Sequence, residues 1–120
     1  MRYVDAFVVP IARRQVAKYQ KIARAAGRIW REHGALAYIE ATGDDLSPAE
    51  VKVTFPKLAR SKPGETVIVA FIVYKSRAHR DRVNKKVFED PRMNRMIEGM
   101  TMPFDMRRMA YGGFSAIVDL

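Results

Sequence analysis

The chain contains no cysteine and only two histidines, His33 and His79. Without thiols, disulfides and thiolate chemistry are excluded, and the expected compartment is reducing, which points to the cytoplasm. Two histidines without cysteine do not make up the usual ligand set of a structural zinc site. Nothing in the spacing argues for a His/carboxylate site for another metal, so no metal and no cofactor is expected. Long apolar runs are missing too: no window approaches the ~18 uncharged apolar residues of a membrane span. The opening segment MRYVDAFVVPIARR has a short apolar run broken by Asp5 and does not read as a signal peptide. There is no phosphate-binding loop ending in Gly-Lys-Ser/Thr and no dinucleotide-type Gly-rich turn after a strand. GGFSA, around Ser115, lacks the spacing of a nucleophile elbow. Acidic residues are scarce: 13 against 22 basic ones, a net charge of +9. That surplus keeps nucleic-acid binding open as an alternative function.

What remains is a chain of 120 residues with 48% hydrophobic content, the size and composition of one domain with one core, residues 1–120. Arg2 to Val9 alternates as a strand that Pro10 is expected to end. Val4, Ala6 and Val8 are small and aliphatic and are expected beneath packed helices. Tyr3, Asp5, Phe7 and Val9 then take the opposite face. Ala12 to His33 has helical periodicity. Val16, Tyr19, Ile22, Ala23, Ala26, Ile29, Trp30 and His33 make its apolar face, and Arg14, Lys18, Lys21, Arg24, Arg28 and Arg31 line the other side. Gly34 suits a left-handed cap. Ala35 to Thr42 is a second strand, and alternation over Val51 to Phe55 suggests a further short one. Thr66 to Tyr74, TVIVAFIVY, reads as a strand buried on both faces. Ser76 caps a helix to about Glu89, and Asp90-Pro91 opens a short one stopped by Gly99. A Met-rich loop leads to a final strand, Arg107 to Val118.

The order strand, helix, strand, strand, helix, strand is the split β-α-β pattern. The expected fold is therefore α+β, a ferredoxin-like βαββαβ domain with helices over one face of an antiparallel sheet. The first and last strands are expected side by side at its centre. Gly112 and Gly113 would then mark a bulge or a close approach of another sheet. The strands carry apolar residues on both faces, which leaves a large apolar surface uncovered. Face-to-face pairing of two sheets as a homodimer removes it.

YVDAFVVP, WREHGALAYIEATGDD, ETVIVAFIVYKSRAHRDRVNKKVFEDPRM and MPFDMRRMAYGGF together resemble the YbaA-like family of small bacterial proteins, a domain of unknown function. The resemblance covers nearly the whole chain. It implies the fold of the dimeric α/β-barrel superfamily, which includes small monooxygenases, and it brings no established activity with it.

The residues with chemistry to offer are few. Asp5 sits among apolar residues, where a carboxylate needs a partner. It is either a base that orients a ligand or half of an ion pair to Arg108 on the last strand. Trp30 and His33, late in the first helix, either line a pocket between helix and sheet or fill the core. Glu40, Asp44 and Asp45 cluster at the end of the second strand, where turn formation accounts for the aspartates. Asp105 in MPFD is a turn former beside the expected pocket. Six of the seven methionines lie between Met93 and Met109, as suits an adaptable lid or a loosely filled core. Three functions follow. In the first, a small apolar or aromatic molecule is bound or transformed in a pocket lined by Asp5, Trp30, His33, Asp105, Arg108 and Tyr111. The second is a nucleic-acid binder using the basic helix face. The third is a structural or regulatory homodimer without a ligand. Whether the protein is an enzyme is left open by the residues alone.

Overall fold

A computed structural model describes residues 1–120. Four strands, β1 (Tyr3–Ala12), β2 (Ala37–Thr42), β3 (Glu65–Tyr74) and β4 (Ala110–Ser115), form one sheet in the order β2-β3-β1-β4. Every neighbouring pair is antiparallel. The helices are α1 (Val16–Glu32), α2 (Phe55–Leu58), α3 (Arg77–Glu89) and α4 (Pro91–Glu98), with 3-10 turns at Arg13–Gln15 and Met106–Arg108. This is the ferredoxin-like arrangement expected from the order of elements.

Local chemistry sets the boundaries. The Ser76 side chain accepts from the His79 amide and caps α3, and Asp90 accepts from the Arg92 amide ahead of Pro91 to cap α4. Gly34 ends α1 at φ 117°, a conformation that favours glycine. Pro10 does not end β1, which runs on to Ala12. Pairing with β4 stops at Val8, so from Val9 onward β1 has one neighbour and tolerates a residue without an N–H. Val51 to Phe55 forms no strand. Val51 and Val53 are exposed, and Thr54 instead caps the single turn of α2.

The faces of β1 are the reverse of those expected. Tyr3, Val9 and Ile11 are buried in the core with Ile68, Ile72 and Tyr74 of β3, under α1 and α3. Val4, Ala6 and Val8 lie on the open face. Residue size was a poor guide because the helix-covered layer contains a polar network that uses Asp5 and the Tyr3 hydroxyl. The last strand lies beside β1 as expected, but at the sheet's edge: β1 and β3 are the central pair. The central place goes to β3, whose TVIVAFIVY run is apolar on both faces, whereas β4 is short and mostly exposed.

The register places Val69, Phe71 and Val73 of β3, Ile39 of β2 and Phe114 of β4 on the open face with Val4, Ala6 and Val8. No charged or hydrogen-bonding side chain interrupts this surface. Ile39 is 50% exposed and Phe114 59% in the single chain. An uncovered sheet face usually alternates to polar residues, and this one does not.

Candidate functional site

Between α1 and the covered face of the sheet lies a cavity of about 190 Å³. Ile22, Ala26 and Trp30 of α1 form its roof, and Phe7, Ala70 and Ile72 of the central strands its floor. Met102, Phe104 and Met109 close one end, so the Met-rich segment borders the cavity, where a rim was expected. Trp30 is fixed in the wall by its indole N–H, which donates to Asn84 Oδ1 of α3 at 3.0 Å. The Tyr74 hydroxyl donates to the same oxygen at 3.0 Å.

Glu40 is the one lining residue of this cavity that is not hydrophobic. It lies on the helix-facing side of β2, two residues from Tyr38, so both side chains point the same way. Its carboxylate accepts from the Tyr38 hydroxyl at 2.6 Å and from the Tyr19 hydroxyl of α1. Burial first, and then the Glu40 bond and charge, push Tyr19 above the ordinary tyrosine range; Tyr38 is raised by burial and by Glu40 likewise. Both phenols therefore stay protonated and keep donating. Beyond this trio, toward solvent, α1 and β2 enclose a groove of about 650 Å³ that includes Arg24, Arg28, Arg31 and Glu32. Tyr19, Ala23, Tyr38, Glu40 and Ile68 line both spaces. Gly27 permits the arrangement: a β-carbon there would come within 2.5 Å of the Tyr38 ring.

Asp5 is 1% exposed and does not meet Arg108. It accepts from the Tyr111 hydroxyl at 3.1 Å, and its partner of opposite charge is Arg80 of α3, Nε to Oδ1 3.6 Å. Arg80 also donates to the Tyr3 hydroxyl at 3.0 Å and lies 5.0 Å from that ring's centre. Burial, followed by the charge of Asp5, raises the Tyr111 hydroxyl above its ordinary range. Gly113 is required by this network, because a β-carbon would overlap the Tyr3 hydroxyl and come within 2.8 Å of the Arg80 guanidinium. The ladder runs through Gly112 and Gly113 in continuous register, so there is no bulge. Tyr111 packs on Phe7 at 4.8 Å between ring centres, which places the Asp5 network one side chain from the cavity.

The other expected residues hold elements together. Arg108 lies in a 3-10 turn before β4, out of reach of Asp5, and donates to both oxygens of Glu65 at 2.7 and 2.8 Å. Those bonds, followed by the Lys62 amide, hold the Glu65 carboxyl down at about 2. The unfolded chain, with an ordinary value of about 4.3, takes up the proton first. Stability from Glu65 is thus complete above that value and is lost as pH falls toward 2. Urea midpoints measured across this window should fall for the wild type, and Glu65→Gln should remove this part of the decline. His33 Nε2 lies 2.8 Å from Asp90 Oδ2 and ties the end of α1 to the cap of α4. Asp105 caps the Met106–Arg108 turn and pairs with Arg107. Neither lines the cavity. No three His, Asp or Glu side chains converge as metal ligands would. From the sequence, Tyr19 reads only as part of the apolar face of α1 and Arg80 only as a local salt-bridge or capping partner of Asp81, which it does meet at 3.4 Å. Its reach to Asp5, and the role of Tyr38, were not anticipated, although the Tyr38/Glu40 alternation was there to be read.

Comparison with known proteins agrees with this architecture. The chain is 37% identical over 119 residues to YbaA of Escherichia coli (strain K12), an uncharacterized protein, with 99% of each chain covered. YbaA of Shigella flexneri matches to the same extent. Among solved structures, Rv0793 from Mycobacterium tuberculosis superposes with a TM-score of 0.61 at 12% identity, covering 99% of this chain and 98% of the other. SnoaB, a cofactor-independent oxygenase from Streptomyces nogalater, superposes with a TM-score of 0.60 at 12% identity, covering 99% and 96%. At such identities the likeness is one of fold. The family model for proteins of unknown function DUF1428 matches residues 2–106. With that match and full-length identity to YbaA, the chain belongs to the DUF1428 family.

Proposed function

We propose that the protein is a homodimer that binds a small apolar or aromatic molecule in the cavity between α1 and the sheet. The observation that carries this reading is the cavity itself: a partly open apolar space with a single carboxylate, Glu40, on its wall. Ligand sites combine an apolar lining with few, well-placed polar groups. Glu40 has both oxygens occupied by tyrosine donors yet keeps acceptor capacity for a ligand hydroxyl or N–H. Trp30 acts as a wall. Asp5 and Tyr111 act as a brace behind Phe7 and do not touch the ligand. His33, Asp105 and Arg108 are structural. SnoaB, on the same fold, is an oxygenase. If the bound molecule is transformed here, Glu40 is the group placed to take its proton. Pairing through the open sheet face leaves α1 and the cavity entrance outward. No helix is long and apolar enough to cross a membrane, and a cytoplasmic location suits a chain without cysteine.

Trp30 is the only tryptophan and lines the cavity, so its emission reports occupancy. Titration with 1-octanol should give a saturable change in wild-type protein. Ala26→Phe, which fills the space, should weaken binding by about tenfold or more, or over ~1.4 kcal/mol. Emission that stays flat across a series of alcohols and alkylbenzenes would remove the ligand from the account.

A further inference from the structure

The cavity alone, at about 190 Å³, is smaller than the ~300 Å³ at which ligand pockets usually begin. The groove outside it is larger, at about 650 Å³, and differs in charge. Four of its side chains are formally charged near the opening, and two of them are already committed. Arg31 donates to the carbonyls of Ala35 and Leu36. Glu32 pairs with Arg92 at 2.7 Å. Arg24 and Arg28 take part in none of the ion pairs or side-chain hydrogen bonds of the molecule. They are spaced i, i+4 on α1 and so stand one helical turn apart, on the same side. The groove's fifth charge, Glu40, is turned to its two tyrosine donors at the boundary with the cavity. The uncommitted charge of the groove is therefore positive and consists of two guanidiniums, a pair suited to one carboxylate or similar head.

Resting on the cavity reading above, we infer that the ligand is an amphipathic monoanion. Its apolar body occupies the cavity, and its anionic head pairs with Arg24 and Arg28 in the groove. The Tyr19–Glu40–Tyr38 cluster is the neck between the two. Its one hydrogen bond across elements is that from Tyr19 of α1 to Glu40 of β2, so a side-chain rotation of Tyr19 opens the neck without breaking a sheet hydrogen bond. A neutral molecule with the same body fills the cavity but gains nothing from the groove.

The test compares octanoate with 1-octanol through Trp30 emission at about 0.1 M salt, where exposed charges act over about 10 Å. Octanoate should bind the wild type at least about tenfold more tightly than octanol. Arg24→Gln/Arg28→Gln should bring octanoate down to the level of octanol and leave octanol unchanged. Arg14→Gln/Lys18→Gln, with the same loss of charge outside the groove, should keep the preference. Octanol binding without an octanoate preference overturns the assignment and spares the cavity reading. So does a preference lost equally in both double variants, which would reduce it to net charge. Failure of both compounds to bind overturns both.

Discussion

Phe71→Glu is expected to turn the proposed dimer into a folded monomer. Phe71 is at the middle of β3, paired with Ala6 on one side and Ile39 on the other, within the uninterrupted apolar face. In the single chain it is only half-buried, so a glutamate there can reach water and the fold survives. Between two packed sheets the same carboxylate loses its hydration with no cation beside it, since the face around Phe71 offers only Ala, Val, Ile, Phe, Gly and Pro, and its charged pair, Glu65 with Arg108, lies at the far end of β3. An isologous interface meets the change twice, once from each copy. Dissociation should strengthen by at least about a hundredfold, or ~2.7 kcal/mol. Sedimentation at micromolar concentration reads this directly, with far-ultraviolet circular dichroism as the control for folding. An unchanged dimer would show that the open face is not the interface; a monomeric wild type would remove the dimer altogether.

The second large effect is on stability. Asp5→Asn keeps the shape of the side chain and removes its charge. Arg80 would then remain beneath Tyr3 with a buried Nε that has no hydrogen-bond partner even in the wild type. Breaking a buried pair from one side costs about 3–5 kcal/mol, because the remaining charge is left in a poor environment. The lower end, about 3 kcal/mol, is expected here. Arg80 is partly exposed and keeps Asp81 at 3.4 Å as a second partner. The double variant Asp5→Leu/Arg80→Met should recover most of the loss, since it removes both charges and keeps the volume. Urea denaturation of the wild type and both variants checks this. If Asp5→Asn unfolds at the wild-type midpoint, the network is not what fixes β1 and β4 beneath α3.

Much of the fold is visible in the sequence because its signals are local. Ser76, Asp90-Pro91 and Gly34 each mark a helix end by their own hydrogen-bonding or backbone preference, and each acts where expected. The apolar stripe of α1 likewise places Ile22, Ala26 and Trp30 toward the sheet. Choices that depend on tertiary context were harder to read. Which face of β1 meets the helices could not be settled from residue size, because Asp5 is made acceptable there by an arginine 75 positions away. The expected Asp5–Arg108 pair was a guess about register; the structure gives Arg108 to Glu65 and Asp5 to Arg80. Gly113 signalled a close approach, but what approaches is the Tyr3 hydroxyl of the same chain. Glu40 was grouped with two turn-forming aspartates because it stands near them. The alternation Tyr38, Glu40, Thr42 placed it on the helix side instead, where it meets a tyrosine of α1.

Central to the proposed function is a dry apolar cavity of about 190 Å³ between α1 and the sheet, able to take the apolar body of a ligand. Xenon enters apolar cavities that remain empty of water, so crystals pressurised with xenon test it directly. The account predicts a xenon peak enclosed by Phe7, Trp30, Ile72 and Phe104, lost in Ala26→Phe. A core closed by repacked side chains, or a chain of ordered waters along the same path, would contradict it.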